Sequence, residues 1–161
     1  MGCGCRGREL ARALAAEGHA VRGTTREPAR LEHIEAAGAE PVLADPDRLA
    51  TLLPAIEGVS AICWLLGTAT GDPDAVAELH GARLSSLLER LVDTPVRGFV
   101  YEAAGSVPSD VIEPGAAVVR KAAETYRMRV EIVERDPADA DAWLNATNAS
   151  LARVLGESRA A

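Results

Sequence analysis

Aromatic side chains are scarce, at 3% of the 161 residues, so any core has to be packed mainly by alanine, valine, leucine and isoleucine. No apolar run approaches the ~20 residues needed to cross a bilayer, and no membrane partner is expected. Cysteine is sparse and odd in number: Cys3, Cys5 and Cys63, with no apolar stretch behind Met1 to suggest a secretory signal. A disulfide scaffold is therefore not expected, and a reducing cytoplasm is the natural setting. Histidine is equally thin. His19, His33 and His80 fall on a turn and two helical stretches without ligand spacing, and nothing completes a metal set around Cys3 and Cys5. Positive charge is in deficit, 17 basic against 24 acidic residues for a net charge of -7. That balance excludes nucleic acid or an anionic membrane as the main partner, while leaving room for a local cluster that holds one phosphate.

With 48% hydrophobic and 25% charged residues, the chain has the composition of one globular domain. Turn signals divide it into apolar runs alternating with helical stretches. Residues 7–18 read as a helix stopped by Gly18, and 20–25 as a strand. A short helix after Pro28 ends at Gly38, and Pro41–Ala44 is the next strand, closed by Asp45 and Pro46. Asp47 opens a helix carrying Leu49, Leu52, Leu53 and Ile56. Val59–Leu66 is a continuous apolar run, the pattern of a strand buried on both faces. The spacing then predicts one long helix over 74–92, a strand from Gly98 to Tyr101, a helix from Pro114 to Tyr126, a strand at Val130–Val133 and a last helix over 143–155. Strands alternating with helices imply right-handed crossovers and an α/β, doubly wound, mostly parallel sheet of Rossmann type.

Gly2, Gly4 and Gly7 match G-x-G-x-x-G immediately before a helix, with Cys3, Cys5 and Arg6 between them. Such a loop turns tightly at its first glycine, brings its backbone against a pyrophosphate at the second, and lets the helix pack closely at the third. The free N–H groups and positive dipole end of the helix then face the phosphates. A glycine-rich stretch also serves as a plain turn; the helix and strand that follow at the right distance favour the phosphate loop. At the end of that strand stand Thr24, Thr25 and Arg26, flanked by Arg22 and Arg30. An acid there would read a ribose 2′-hydroxyl, whereas a guanidinium suits a 2′-phosphate, so NADP is favoured and NAD is the less expected cofactor. The alternative is that these arginines are solvated surface charges.

Together, the glycine loop, the stretch Gly18–Arg26 and the segment Leu43-Ala44-Asp45 resemble the atypical and extended short-chain dehydrogenase/reductase proteins. The resemblance covers nearly the whole chain. It implies an NAD(P)-binding Rossmann domain with Arg26 on the 2′-phosphate, Asp45 at the adenine amino group, and Leu66 and Gly67 beside the cofactor's ribose. It also places the family's catalytic serine at Ser106. Function is then expected to be dinucleotide binding, with hydride exchange between NADP and a small molecule, or a non-catalytic NADP-binding sensor working through a protein partner.

Two departures accompany the resemblance. The family's Tyr-x-x-x-Lys pair is missing, because Tyr101 is followed four places on by Gly105 and Tyr126 by Val130. Lys121, the one lysine, is about 140° around a helix from Tyr126, which leaves Ser106 with Tyr126 or Lys121 as the catalytic candidates, the alternative being a turn serine, a half-buried helix tyrosine and a solvated lysine. The second departure lies ahead of Gly2, where the fold places a central strand. The expectation is that the chain as written is less stable than one extended by a strand, or that it forms a homo-oligomer, since a buried sheet edge leaves backbone groups without partners. Glu102, beside a strand's carboxyl end, is read as facing either the cofactor cleft or solvent.

Overall fold

The computed structural model describes residues 2–156. Helix α1, Cys5–Ala16, turns Gly7, Leu10, Ala11 and Leu14 inward. Strand β1 is Arg22–Thr25, and a 3-10 turn at Pro28–Arg30 leads into α2, Leu31–Glu35. Next come β2, Glu40–Leu43, then α3, Leu49–Ile56, and β3, Ala61–Trp64. Helices α4, Pro73–His80, and α5, Ala82–Leu91, precede β4, Gly98–Glu102. The chain continues through α6, Ser109–Tyr126, β5, Arg129–Val133, and α7, Ala140–Leu155.

All strand pairs are parallel, and the strands fall into two sheets, β1–β2 and β3–β4–β5. The three-stranded sheet is covered on both faces, which β4 shows most directly, since all five of its residues are buried. Alternation sends Phe99 and Tyr101 toward α4, α5 and α6, in a cluster with Trp64, Leu84, Leu87 and Val119. Val100 points the other way, to Leu10 and Leu14 of α1 and to Trp143, Leu151 and Val154 of α7. This is the layered α/β arrangement expected from the alternating pattern. In the smaller sheet, Ile34 packs on Gly23, where a Cβ would lie 2.6 Å from an Ile34 methyl and 2.9 Å from Cys3 Sγ.

Several helix ends shift by two or three residues from the sequence reading, Asp47 does not cap α3, whose N-cap is Arg48, and two helices differ more. The single helix expected over 74–92 is two, because Gly81 leaves helical geometry at φ -115° and ψ -110°. Glycine weakens a helix interior by about 1 kcal/mol relative to alanine, and the break lets His80 turn into the core, where it is 1% exposed. Helix α6 starts at Ser109 rather than at Pro114, with the proline inside it. Pro114 is exposed, so water can satisfy the carbonyl that its missing N–H leaves unbonded. Meanwhile Ile112, Gly115, Ala116 and Val119 form one buried stripe across the proline.

At the carboxyl end of β4, Glu102 is 2% exposed and ties three elements together. One carboxylate oxygen accepts the Gly67 N–H at 2.7 Å and the other accepts the Trp143 indole N–H at 2.8 Å. The carboxylate thus fixes the turn after β3 and the start of α7 to β4. Neither side expected for Glu102 is correct: it faces the interior, because both N–H groups there need an acceptor. Burial, outweighing the two hydrogen bonds, raises its pKa above the ordinary carboxylate value.

A raised carboxyl pKa means that the folded state holds the proton more tightly than the unfolded one. The contribution of Glu102 to stability is therefore full below the ordinary carboxylate pKa and is lost as pH rises through the raised value. Urea unfolding of the wild type and Glu102→Gln across about pH 4 to 7 reads this directly: the difference, wild type minus variant, falls as pH rises. A difference that stays flat would contradict the assignment.

Candidate functional site

Parallel strands deliver the loops that follow them to one edge of a sheet. Here residues 2–5 join the carboxyl ends of both sheets. The Cys3 N–H donates to the Thr24 carbonyl in β1 at 3.2 Å, and Gly2 presses against the Leu65 carbonyl just beyond β3. Gly2 has φ +81°, and a Cβ there would collide with that carbonyl, so both backbone conformation and space require glycine. Gly7 is the second close contact, since a Cβ would sit 2.8 Å from the Gly2 carbonyl. Gly4 differs from both. Nothing lies within 4 Å of where its Cβ would be, so the backbone there is open to approach.

Gly4 is also the N-cap of α1, which has no side-chain cap and no acidic residue in its first turn. The opening N–H groups of α1 and its dipole thus favour a negative charge in front of Cys5, which is exposed. By contrast, α4 and α7 are capped by Asp72 and Asp139. Arg6 turns away from this position: its Nε donates to the Pro137 carbonyl at 2.7 Å and Nη1 pairs with Glu9 at 2.7 Å. Its guanidinium braces the loop before α7, so any role toward phosphate falls to its backbone.

Around the end of β1, the three arginines separate by partner. Arg22 is held by Glu40 at 2.8 Å and by the Ala55 and Glu57 carbonyls at 3.0 Å. Arg30 pairs with Glu27 at 2.7 Å. Arg26 is exposed and makes no such pair among the described residues. Thr25 shapes the turn beneath it, its hydroxyl accepting the Glu27 N–H at 3.1 Å. Asp45, after β2, accepts the Asp47 N–H at 3.0 Å through one oxygen, and its own N–H donates to Thr51 Oγ1 at 2.8 Å. One carboxylate oxygen of Asp45 is thereby used to hold its turn.

The loops after β3 and β4 lie backbone against backbone. A Cβ on Gly67 would collide with the Ala104 carbonyl, one on Gly105 with the Gly67 carbonyl, and the Val107 N–H donates to the Gly67 carbonyl at 2.9 Å. Ser106 sits exposed between those two contacts, at the same edge as Gly67. Tyr126 does not join it. It closes α6, whose 18 residues rise about 27 Å at 1.5 Å each, and only Arg127 and Met128 separate it from the amino end of β5. The structure therefore leaves Ser106 and Tyr126 at opposite ends of one helix, a separation that the linear order of motifs concealed.

Two buried groups escaped the sequence reading. His80, which the sequence shows only as a histidine on a helical stretch without ligand spacing, lies between Tyr101 and Leu66. The Leu66 carbonyl, 3.2 Å from Nε2, can only accept, so in the neutral ring Nε2 carries the proton, and the Tyr101 hydroxyl shares its one proton between His80 Nδ1 at 2.6 Å and the Ile112 carbonyl at 3.2 Å. Burial lowers the His80 pKa and raises that of Tyr101, keeping both neutral. Together they hold Leu66 from behind while Glu102 holds Gly67. Only the break at Gly81 could have signalled that His80 turns inward. Among the described residues no group of His, Cys, Asp and Glu could hold a metal ion, and no helix is long and apolar enough to cross a membrane.

The chain is similar in fold to several solved structures. A short-chain dehydrogenase/reductase superfamily protein from Agrobacterium tumefaciens with bound NAD superposes with a TM-score of 0.68 at 22% identity, over 96% of this chain and 60% of that one. UDP-glucuronic acid 4-epimerase from Bacillus cereus, in complex with NAD, gives 0.64 at 15% identity, over 83% and 54%. dTDP-glucose 4,6-dehydratase from Streptomyces venezuelae, a double mutant with NAD bound, gives 0.62 at 20% identity, over 81% and 52%. The chain thus spans between half and three-fifths of the length of these neighbours. Among curated proteins none matches it in sequence. Residues 2–149 match a family described as NAD(P)H-binding, and with the glycine loop, the uncapped helix and the parallel sheet in place, the chain belongs to that family of Rossmann-fold domains.

Proposed function

We propose that the dinucleotide bound here is NADP(H) and that it lies across the glycine loop with its adenosine end on Arg26 and Asp45. The observation that carries this reading is the separation of the arginines: Arg22 and Arg30 are engaged within the protein, and Arg26 stands exposed at the end of β1. A guanidinium binds a phosphate dianion through paired, charge-assisted hydrogen bonds, whereas a ribose hydroxyl gives it little to grip. Gly4 and the first turn of α1 take the pyrophosphate, and Leu66 and Gly67 border the ribose. Three thiols without a disulfide suit a reducing cytoplasm.

Hydride exchange with a small carbonyl compound is the activity we propose for this site. Ser106 would donate the hydrogen bond to the carbonyl, supported by its exposure beside Gly67 at the edge where the loops converge. A non-catalytic NADP(H) sensor is the second reading. It is favoured by the position of Tyr126 at the far end of α6, which leaves Ser106 without the phenol that would exchange the proton.

Arg26→Ala should weaken NADPH binding about 10- to 100-fold, the worth of one charge-assisted contact, and leave NADH binding nearly unchanged. Titration calorimetry with both nucleotides decides the matter, and equal losses for the two would overturn the 2′-phosphate assignment. A screen for NADPH oxidation over small aldehydes and ketones then separates the two functions. The enzyme reading expects turnover that falls at least about tenfold in Ser106→Ala with NADPH affinity kept. Tight NADPH binding with no turnover on any carbonyl compound would favour the sensor.

A further inference from the structure

Asp45 stands in the short loop between β2 and α3, and the side chain that clamps this loop comes from another part of the fold. Arg83, on α5, grips Asp47 twice. Its Nη1 donates to the Asp47 carbonyl, and its Nε lies 3.0 Å from Asp47 Oδ1. Both atoms of that ion pair are shut off from water, and neither has a hydrogen-bond partner elsewhere among the described residues. A charge contact with no solvent at its ends is screened less than an open surface pair.

Arg83 occupies an unfavourable place on its own helix. The break at Gly81 starts α5 at Ala82 and puts Arg83 in its first turn, where no acidic residue stands. A cation there opposes the helix dipole, and the Asp47 carboxylate, 36 residues earlier, supplies the counter-charge. The rest of α5 is firmly seated. Leu84, Leu87 and Leu88 are buried in one cluster with Phe99 and Tyr101 of β4. A loop carried by the smaller sheet is thus held by a helix packed on the larger one.

One further bond passes the clamp on to Asp45. The Asp47 N–H donates to Asp45 Oδ1 at 3.0 Å, and the Asp45 N–H donates to Thr51 Oγ1 at 2.8 Å. With its backbone and one carboxylate oxygen fixed, Asp45 offers a single acceptor, Oδ2, which no hydrogen bond engages among the described residues. A single fixed acceptor can tell purines apart. Adenine presents an amino donor on its six-membered ring, whereas hypoxanthine presents a carbonyl oxygen there and a donor at the neighbouring ring nitrogen. Held in place, Oδ2 accepts from the adenine amino group and repels the hypoxanthine oxygen. A carboxylate free to turn can accept from the ring nitrogen instead, and the distinction fades.

We infer that Arg83 is a positioning residue that sets the base specificity of the nucleotide site, acting through Asp47 on the Asp45 carboxylate. The inference rests on the NADP(H) placement in which the adenosine end lies on Asp45.

The probes are NADPH and reduced nicotinamide hypoxanthine dinucleotide phosphate, each titrated into the full chain by calorimetry. Wild type should bind NADPH about 10- to 100-fold more tightly than the analogue, the worth of one hydrogen bond to a charged group. Arg83→Met should lower that ratio at least about fivefold. A residue that only stabilised the fold would weaken both nucleotides alike and leave the ratio unchanged. Asp45→Ala should abolish the preference, and adding Arg83→Met to it should change the ratio no further. Should Arg83→Met fail to fold, Asp47→Asn takes its place, because it removes the ion pair and keeps the Asp47 backbone; it should lower the ratio in the same direction. A ratio that survives Arg83→Met, or Asp47→Asn where that variant stands in, while Asp45→Ala loses it, overturns the inference and leaves the cofactor reading standing. A wild type without preference, or an Asp45→Ala variant that keeps it, overturns the adenine placement and the inference together.

Discussion

A buried carboxylate holds the working edge of this protein in shape. Glu102 accepts one N–H from the turn after β3 and one from the indole of α7, and no neutral side chain of its size can accept both. An amide would offer one acceptor and turn donors on the other N–H; an aliphatic group would strand both donors in the core. The charge is costly where it lies, as its raised pKa indicates. What it secures is the position of Gly67, the residue against which the β4 loop is stacked and beside which the cofactor's ribose is expected. His80 and Tyr101 brace the preceding residue in the same way, with neutral partners. The two supports come from opposite faces of the sheet, so the turn between them is fixed from both sides.

Much of the layering was legible in the order of the residues. Short apolar runs separated by helical periodicity and by glycine or aspartate stops identify a parallel α/β fold, and the strands lie where the runs are. The boundaries that were misread share a cause. Gly81 and Pro114 carry local signals that tertiary packing overrules: burying His80 makes a break useful in one place, and burying Ile112 makes a proline tolerable in another. The glycine loop was legible because its spacing is a local signal: Gly7 is required by the nearby Gly2 carbonyl and Gly2 by its own positive φ, although Gly2 also meets the Leu65 carbonyl far along the chain.

The polar interior was not legible, because it depends on pairings across long stretches of chain. Glu102 meets residues 35 and 41 positions distant, and His80 meets one 21 away. Nothing in a lone histidine or a strand-end glutamate announces such partners. The same holds for the arginines. Arg6, Arg22, Arg26 and Arg30 look alike in sequence, and only the fold shows that three of them are occupied in holding loops and strand ends together.

Residues 2 and 3 reach the carboxyl ends of both sheets, while no ladder bond joins the sheets to one another among the described residues. Thr25, Arg26 and Asp45 stand on the smaller sheet, and Leu66 and Gly67 on the larger. A dinucleotide laid across them, as proposed, would touch both sheets, and its binding free energy would then stabilise their arrangement as well as hold the ligand.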